Sequence, residues 1–139
     1  MLEALIGFGG AIIGAIIGAL FTVVVTKMNN YNQSVSQCRN KWLNDMRENI
    51  SNMLACKNAL GGADKEKQIE LKREYEYAKN QTLLRLNLSE NKHILLKLAI
   101  EELDLQGYSE ETAQKIAEIS RSIFKEEWEK VKYEAKGGK

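Results

Sequence analysis

Residues 4–26 read ALIGFGGAIIGAIIGALFTVVVT and hold no charged side chain. As a helix this stretch reaches roughly 34 Å, enough for a hydrocarbon core of about 30 Å. A cleaved secretory signal fits it poorly. No Lys or Arg precedes the run, it is long for such a segment, and no small-x-small site closes it. The expectation is an N-terminal transmembrane anchor over residues 1–27, followed by a domain over residues 28–139.

Flanking charge then sets the orientation. Only Glu3 precedes the run, while Lys27, Arg39, Lys41 and Arg47 follow it. The positive-inside rule puts the N-terminus outside and the C-terminal domain in the cytoplasm. A reducing compartment leaves Cys38 and Cys56 as thiols, buried by default. The sequons at Asn32, Asn49, Asn80 and Asn87 are then chance matches.

Within the run, Gly10, Gly14 and Gly18 form a ridge flanked by Gly7, Ala11, Ala15 and Ala19. At about 100° per residue these small residues cover half the circumference. In lipid, helices associate by close packing at such residues. An arc this wide predicts a homo-oligomer in which each helix touches two neighbours, with the bilayer as its other partner. A pore lined by this helix would be hydrophobic and would gate by dewetting.

Beyond the run, the chain turns into a mosaic of charge and apolar residues. Lys plus Arg is 20, Asp plus Glu is 19, and proline is absent. Val35, Cys38, Trp42, Met46, Ile50, Met53 and Leu60 recur at helical spacing, and Gly61-Gly62 stops them. The Asn-rich stretch from Met28 to Gln33 either frays or carries the anchor helix onward. Asp64 caps a helix over about 65–86, with Ile69, Leu71, Tyr75, Ala78 and Leu83 inward. Ser89 is placed as the cap of the next, which carries His93, Leu96, Ile100 and Leu103 and ends at Gly107. Ser109 caps the last, with Ala113, Ile116, Ser120, Ile123, Trp128 and Val131 along one stripe. Period-two alternation is absent. The fold class is therefore all-α: one N-terminal transmembrane helix followed by a cytoplasmic bundle of about four helices.

Candidate chemistry is thin. The single His93 has Leu96, Lys97, Glu90 and Ser89 at helical spacing, and no paired nucleophile. Its plain reading is a brace at a helix start. One His and two Cys without a CxxC pair leave no metal site, and no cofactor is expected. Acidic residues interleave with Lys72, Arg73, Lys130, Lys132 and Lys136, which disfavours stable DNA binding. Trp42 and Trp128 lie at stripe positions and read as core anchors. No glycine loop is shaped to cradle phosphate. A HEPN-like ribonuclease has Arg followed a few residues later by His. Arg85 and His93 loosely match it, with residues 86–92 between them, which is long for that pattern.

Three stretches resemble a family. Arg39-Asn40-Lys41-Trp42-Leu43-Asn44-Asp45-Met46-Arg47 is similar to an R-x-x-W-[IL]-x-x-[LM]-R helix after a membrane anchor. Leu86-Asn87-Leu88-Ser89 with His93 is similar to L-x-L-N-P-x-x-x-x-H, with Leu88-Ser89 standing where that pattern has Asn-Pro. Phe124-Lys125-Glu126-Glu127-Trp128-Glu129-Lys130-Val131-Lys132 is similar to K-x-E-W-E-[RK]-V-K. Together they resemble small bacterial single-pass proteins of antiphage defence, among them the membrane pore accessory of type VI-B CRISPR systems. The resemblance implies signature positions at Arg39, Trp42, Arg47, Asn87, His93, Glu127 and Trp128. It also implies a homo-oligomeric effector of antiphage defence that forms a pore in, or otherwise perturbs, the bacterial inner membrane, with an RNA-guided effector or its products as partner. A membrane-tethered HEPN-like, metal-independent RNase using Arg85 and His93 is the alternative, and a membrane-anchored sensor or scaffold is a further one.

Overall fold

A chain without proline can carry backbone hydrogen bonds through long stretches without a break. The computed structural model describes the backbone of residues 2–135 and the side-chain surroundings of residues 15–134. It consists of α1 (Leu2–Ala59), α2 (Lys65–Leu84), α3 (Asn91–Gln106) and α4 (Glu110–Ala135). No strand occurs among the described residues. The all-helical expectation therefore holds, but the element count changes. The Asn-rich stretch from Met28 to Gln33 holds neither proline nor glycine, so the first apolar run and the following helix are one element, α1.

The expected anchor is corrected. Among the described residues, no helix is long and apolar enough to cross a membrane. From Ala15 the charge-free run reaches only Thr26 before Lys27, Asn29 and Asn30 intervene. That is roughly 18 Å of helix against a core of about 30 Å. The transmembrane helix over 1–27 and the single-pass inner-membrane placement with an outward N-terminus are both overturned on this ground. Gly7, Gly10, Ala11 and Gly14 of the expected packing face lie outside the residues whose side chains are described.

Caps and turns explain where the helices end. Asp64 accepts the Lys67 backbone N–H at 2.9 Å, as its position before a helix predicts. Ser109 Oγ accepts the Thr112 N–H at 3.1 Å and caps α4. Gly107 ends α3 with φ at +85°, a conformation open to glycine and costly for other residues. The expected Ser89 cap is corrected: Glu90 occupies the N-cap position without a side-chain bond, and Ser89 Oγ donates to Asn87 Oδ1 at 2.8 Å. Asn87 out-competes the helix for that hydroxyl because its own side chain folds over the turn.

α1 packs against α2 and α4, and α3 packs against α4. The core face of α1 is Leu43, Met46, Ile50 and Met53, spaced along one helical stripe. Tyr75 and Ala78 of α2, Leu96, Ala99, Ile100 and Leu103 of α3, and Ile116 and Ile123 of α4 close on it. Two expected inward positions fail. Ile69, near the start of α2, is 73% exposed, and Trp128, at the rim of a shallow surface depression, is 44% exposed. Cys38 is exposed as well, while Cys56 is buried. Ser120 is buried as its stripe predicts, and Thr82 enters the core beside the expected positions, their hydroxyls turned onto the carbonyls of Ile116 and Ala78 at 2.7 and 2.9 Å.

A polar knot fastens three helices at one end of the bundle. Asp104 of α3 accepts from Tyr75 Oη and from Lys79 Nζ, both at 2.7 Å, and Lys57 Nζ of α1 approaches at 3.5 Å. Lys57 also lies over the Tyr75 ring, 4.6 Å from its centroid. Burial alone would raise the Asp104 carboxyl. The hydrogen bonds from Lys79 and Tyr75 and the two ammonium charges outweigh it and hold the group below its ordinary value. Burial and the adjacent Asp104 push the Tyr75 phenol upward.

Candidate functional site

Where α1 leaves the bundle, the end of α2, the first turn of α3 and the last turns of α4 surround a cleft of about 510 Å³. Its walls bring together Arg39, Trp42, Arg85, Asn87, His93 and Glu127, which are scattered in sequence. Two signature positions fall elsewhere. Arg47 lies over the Phe124 ring at 5.4 Å and shares a shallow surface depression with Trp128.

His93 sits at the floor of the cleft, 4% exposed. Its Nδ1 accepts the Asn87 backbone N–H at 2.9 Å. Accepting there places the proton of the neutral ring on Nε2, the nitrogen that lies 3.8 Å from Glu90 Oε2. The ring stacks on Trp42, centroids 6.1 Å apart and planes 19° off parallel. Trp42 Nε1 in turn donates to the Arg85 carbonyl at 3.3 Å. The two rings thus tie α1 to both sides of the α2–α3 turn. The reading of His93 as a brace at a helix start agrees with this geometry.

Arg85 is engaged as well. Its guanidinium donates to the Gln81 carbonyl at 2.9 Å and reaches Asp45 at 3.4 Å. The cleft brings Arg85 and His93 to one place.

Across the cleft, Arg39 joins α1 to α4. It donates to Glu127 at 2.6 Å and to Glu134 at 2.8 Å, while its Nε is buried with no hydrogen-bond partner. Burial would raise the Glu127 carboxyl. Hydrogen bonds from Lys130 and Arg39 reverse the direction and hold it below its ordinary value. Two carboxylates already neutralise Arg39, which weakens its pull on an incoming anion.

A second groove of about 840 Å³ runs between α1 and α2, lined by Asp45, Glu48, Arg73, Glu74 and Arg85 among others. Both signs of charge alternate along it. Burial and Glu74 push the Cys56 thiol upward, away from the reactive thiolate. Among the described residues, no group of three or more His, Cys, Asp or Glu side chains could hold a metal ion.

The feature that stands apart is uncovered apolar surface. Every residue from 15 to 31 of α1 is exposed, including Ile16, Ile17, Leu20, Val23, Val24 and Phe21, the last at 70%. Of the expected small-residue face, Ala15, Gly18 and Ala19 are described and are exposed too. A Cβ added at Gly18 would meet nothing within 4 Å.

No protein family, curated protein or solved structure matches the chain. Nothing in these comparisons links it to the CRISPR-associated membrane proteins that its motifs resemble.

Proposed function

We propose that this protein is a non-catalytic, self-assembling scaffold: copies associate through the apolar part of α1 and present the helical bundles as heads. The observation that carries the reading is the exposed run of α1 from Ala15 to Thr26. Apolar surface of this extent on a single rigid helix is unfavourable in water by about 25 cal/mol per Å². Monomers rarely leave such a contiguous patch open.

A second copy is the occupant that fits. The stretch from Ala15 to Thr26 offers no charge with which to select a different partner. Its apolar side chains surround the whole helix, so more than one neighbour can lie along it. Ala15, Gly18 and Ala19 let identical backbones approach closely on one side. The cleft supports the same reading from the other direction, because His93, Arg85 and Arg39 are engaged in holding helices together.

Chemical cross-linking and native mass of the full chain test the proposal. Wild type should give a discrete oligomer. The triple variant Ile17→Lys, Phe21→Lys, Val24→Lys should give a monomer with an unchanged thermal midpoint of the bundle, since these side chains touch nothing in it. A wild-type monomer, or one that floats with phospholipid vesicles without associating, overturns the proposal.

A further inference from the structure

α4 is held by two unlike means along its length. As far as Ile123 its inner face is Thr112, Ile116, Ser120 and Ile123, all buried, and the two isoleucines belong to the contiguous core. Beyond Ile123 the inner face reads Glu127, Val131 and Glu134, at spacings of four and three. Among the described residues of that stretch, Val131 alone is buried. Glu127 and Glu134 both pair with Arg39 of α1, at 2.6 and 2.8 Å, and Ser36 Oγ donates to Glu134 at 3.5 Å. Together with Arg47 over Phe124, these contacts run α4 antiparallel to α1 along the stripe Ser36, Arg39, Leu43 and Arg47. Leu43 is 1% exposed, yet neither it nor Val131 belongs to the contiguous core.

We infer that the last turns of α4, from Glu127 onward, are a strap over the neck of α1 that opens without the rest of the bundle and, while closed, limits self-assembly. Lifting the strap releases one buried valine and one charge cluster, whereas lifting α4 at Ile116 and Ile123 dismantles the core. Local opening costs least where few apolar contacts are lost. The fastening is also incomplete, because Arg39 Nε is buried with no hydrogen-bond partner and its lost hydration is not made good. Once free of Arg39, a helix end of about two turns is too short to keep its own hydrogen bonds.

The inhibitory role rests on the scaffold reading. The strap covers α1 just where the exposed run ends. Met28 and Tyr31 are exposed, and Val35 follows them at helical spacing, lining the cleft beside Glu127 and Lys130. With the strap open, Val35 and Leu43 join the surface already offered by residues 15–31. A neighbouring α1 can then lie along roughly 18 Å more of the helix. With the strap closed, α4 occupies that space.

Hydrogen exchange of the Ile17→Lys, Phe21→Lys, Val24→Lys chain reads the strap apart from assembly through α1. Amides of residues 128–134 should exchange through a smaller opening than those of residues 116–123. Adding Arg39→Met should speed the first group by about tenfold or more, the effect of losing a hydrogen bond to a charged group, and leave the second unchanged. Equal exchange of the two groups, or equal acceleration of both, overturns the inference. Arg39→Met in the otherwise wild-type chain should lower the concentration at which the oligomer dissociates several-fold. An oligomer whose dissociation does not change overturns the inhibitory role. A wild-type monomer overturns that role together with the scaffold reading, while the exchange result still decides whether the strap opens by itself.

Discussion

His93 joins a turn to a neighbouring helix. Its Nδ1 holds the turn at Asn87 and its ring lies on Trp42. His93→Ala should destabilise the bundle by about 1–3 kcal/mol, since it leaves a backbone N–H without its acceptor. His93→Asn restores an acceptor near the same place and should recover part of the loss. Urea unfolding of the two variants checks the pair. Asp104 and Glu127 make a second prediction. Both carboxyls are held below their ordinary values of 3.8 and 4.5 in the folded chain. Their contribution is complete above those ordinary values and is lost as pH falls through the lower folded ones. The thermal midpoint should therefore stay level from neutral pH to about 5 and drop below about 4.5. Asp104→Asn with Glu127→Gln should start less stable and fall less steeply over that acid range.

Among the elements, the helix ends were the most legible part of the sequence. Asp64, Gly107 and Ser109 mark ends by local chemistry, and each does so in the structure. Gly107→Ala should cost about 1–3 kcal/mol through backbone strain alone, because φ +85° with ψ −174° is essentially closed to other residues and the added Cβ meets no neighbour within 4 Å. Thermal unfolding read beside Gly62→Ala, whose Cβ also meets nothing and whose φ is ordinary, separates strain from packing. Ser89 is less legible, because a serine before a helix looks the same whether it caps the helix or bonds a neighbouring Asn. Ile69 and Trp128 were misplaced because periodicity shows that a face is apolar and does not show how far the facing helix extends.

For the whole molecule, the apolar run divides what sequence can and cannot tell. Its lack of charge is plain in the residues. The run's continuity with the bundle is not, because the Asn-rich stretch between them is compatible with a break or a through-going helix. The cleft joins Arg39, Trp42, Asn87, His93 and Glu127, whose proximity no local pattern encodes, since four helices must pack before they meet. At this scale the exposed surface of α1 carries the functional reading, and Gly18→Leu should weaken association by filling the small-residue side without touching the bundle. Sedimentation velocity of the full chain over a dilution series, beside the Ile17→Lys, Phe21→Lys, Val24→Lys variant, decides whether α1 assembles copies. Wild type should sediment as a discrete oligomer that dissociates on dilution, and the variant as a monomer at every concentration. A wild-type chain that sediments as a monomer throughout, or a variant that assembles as wild type does, would contradict self-assembly through α1.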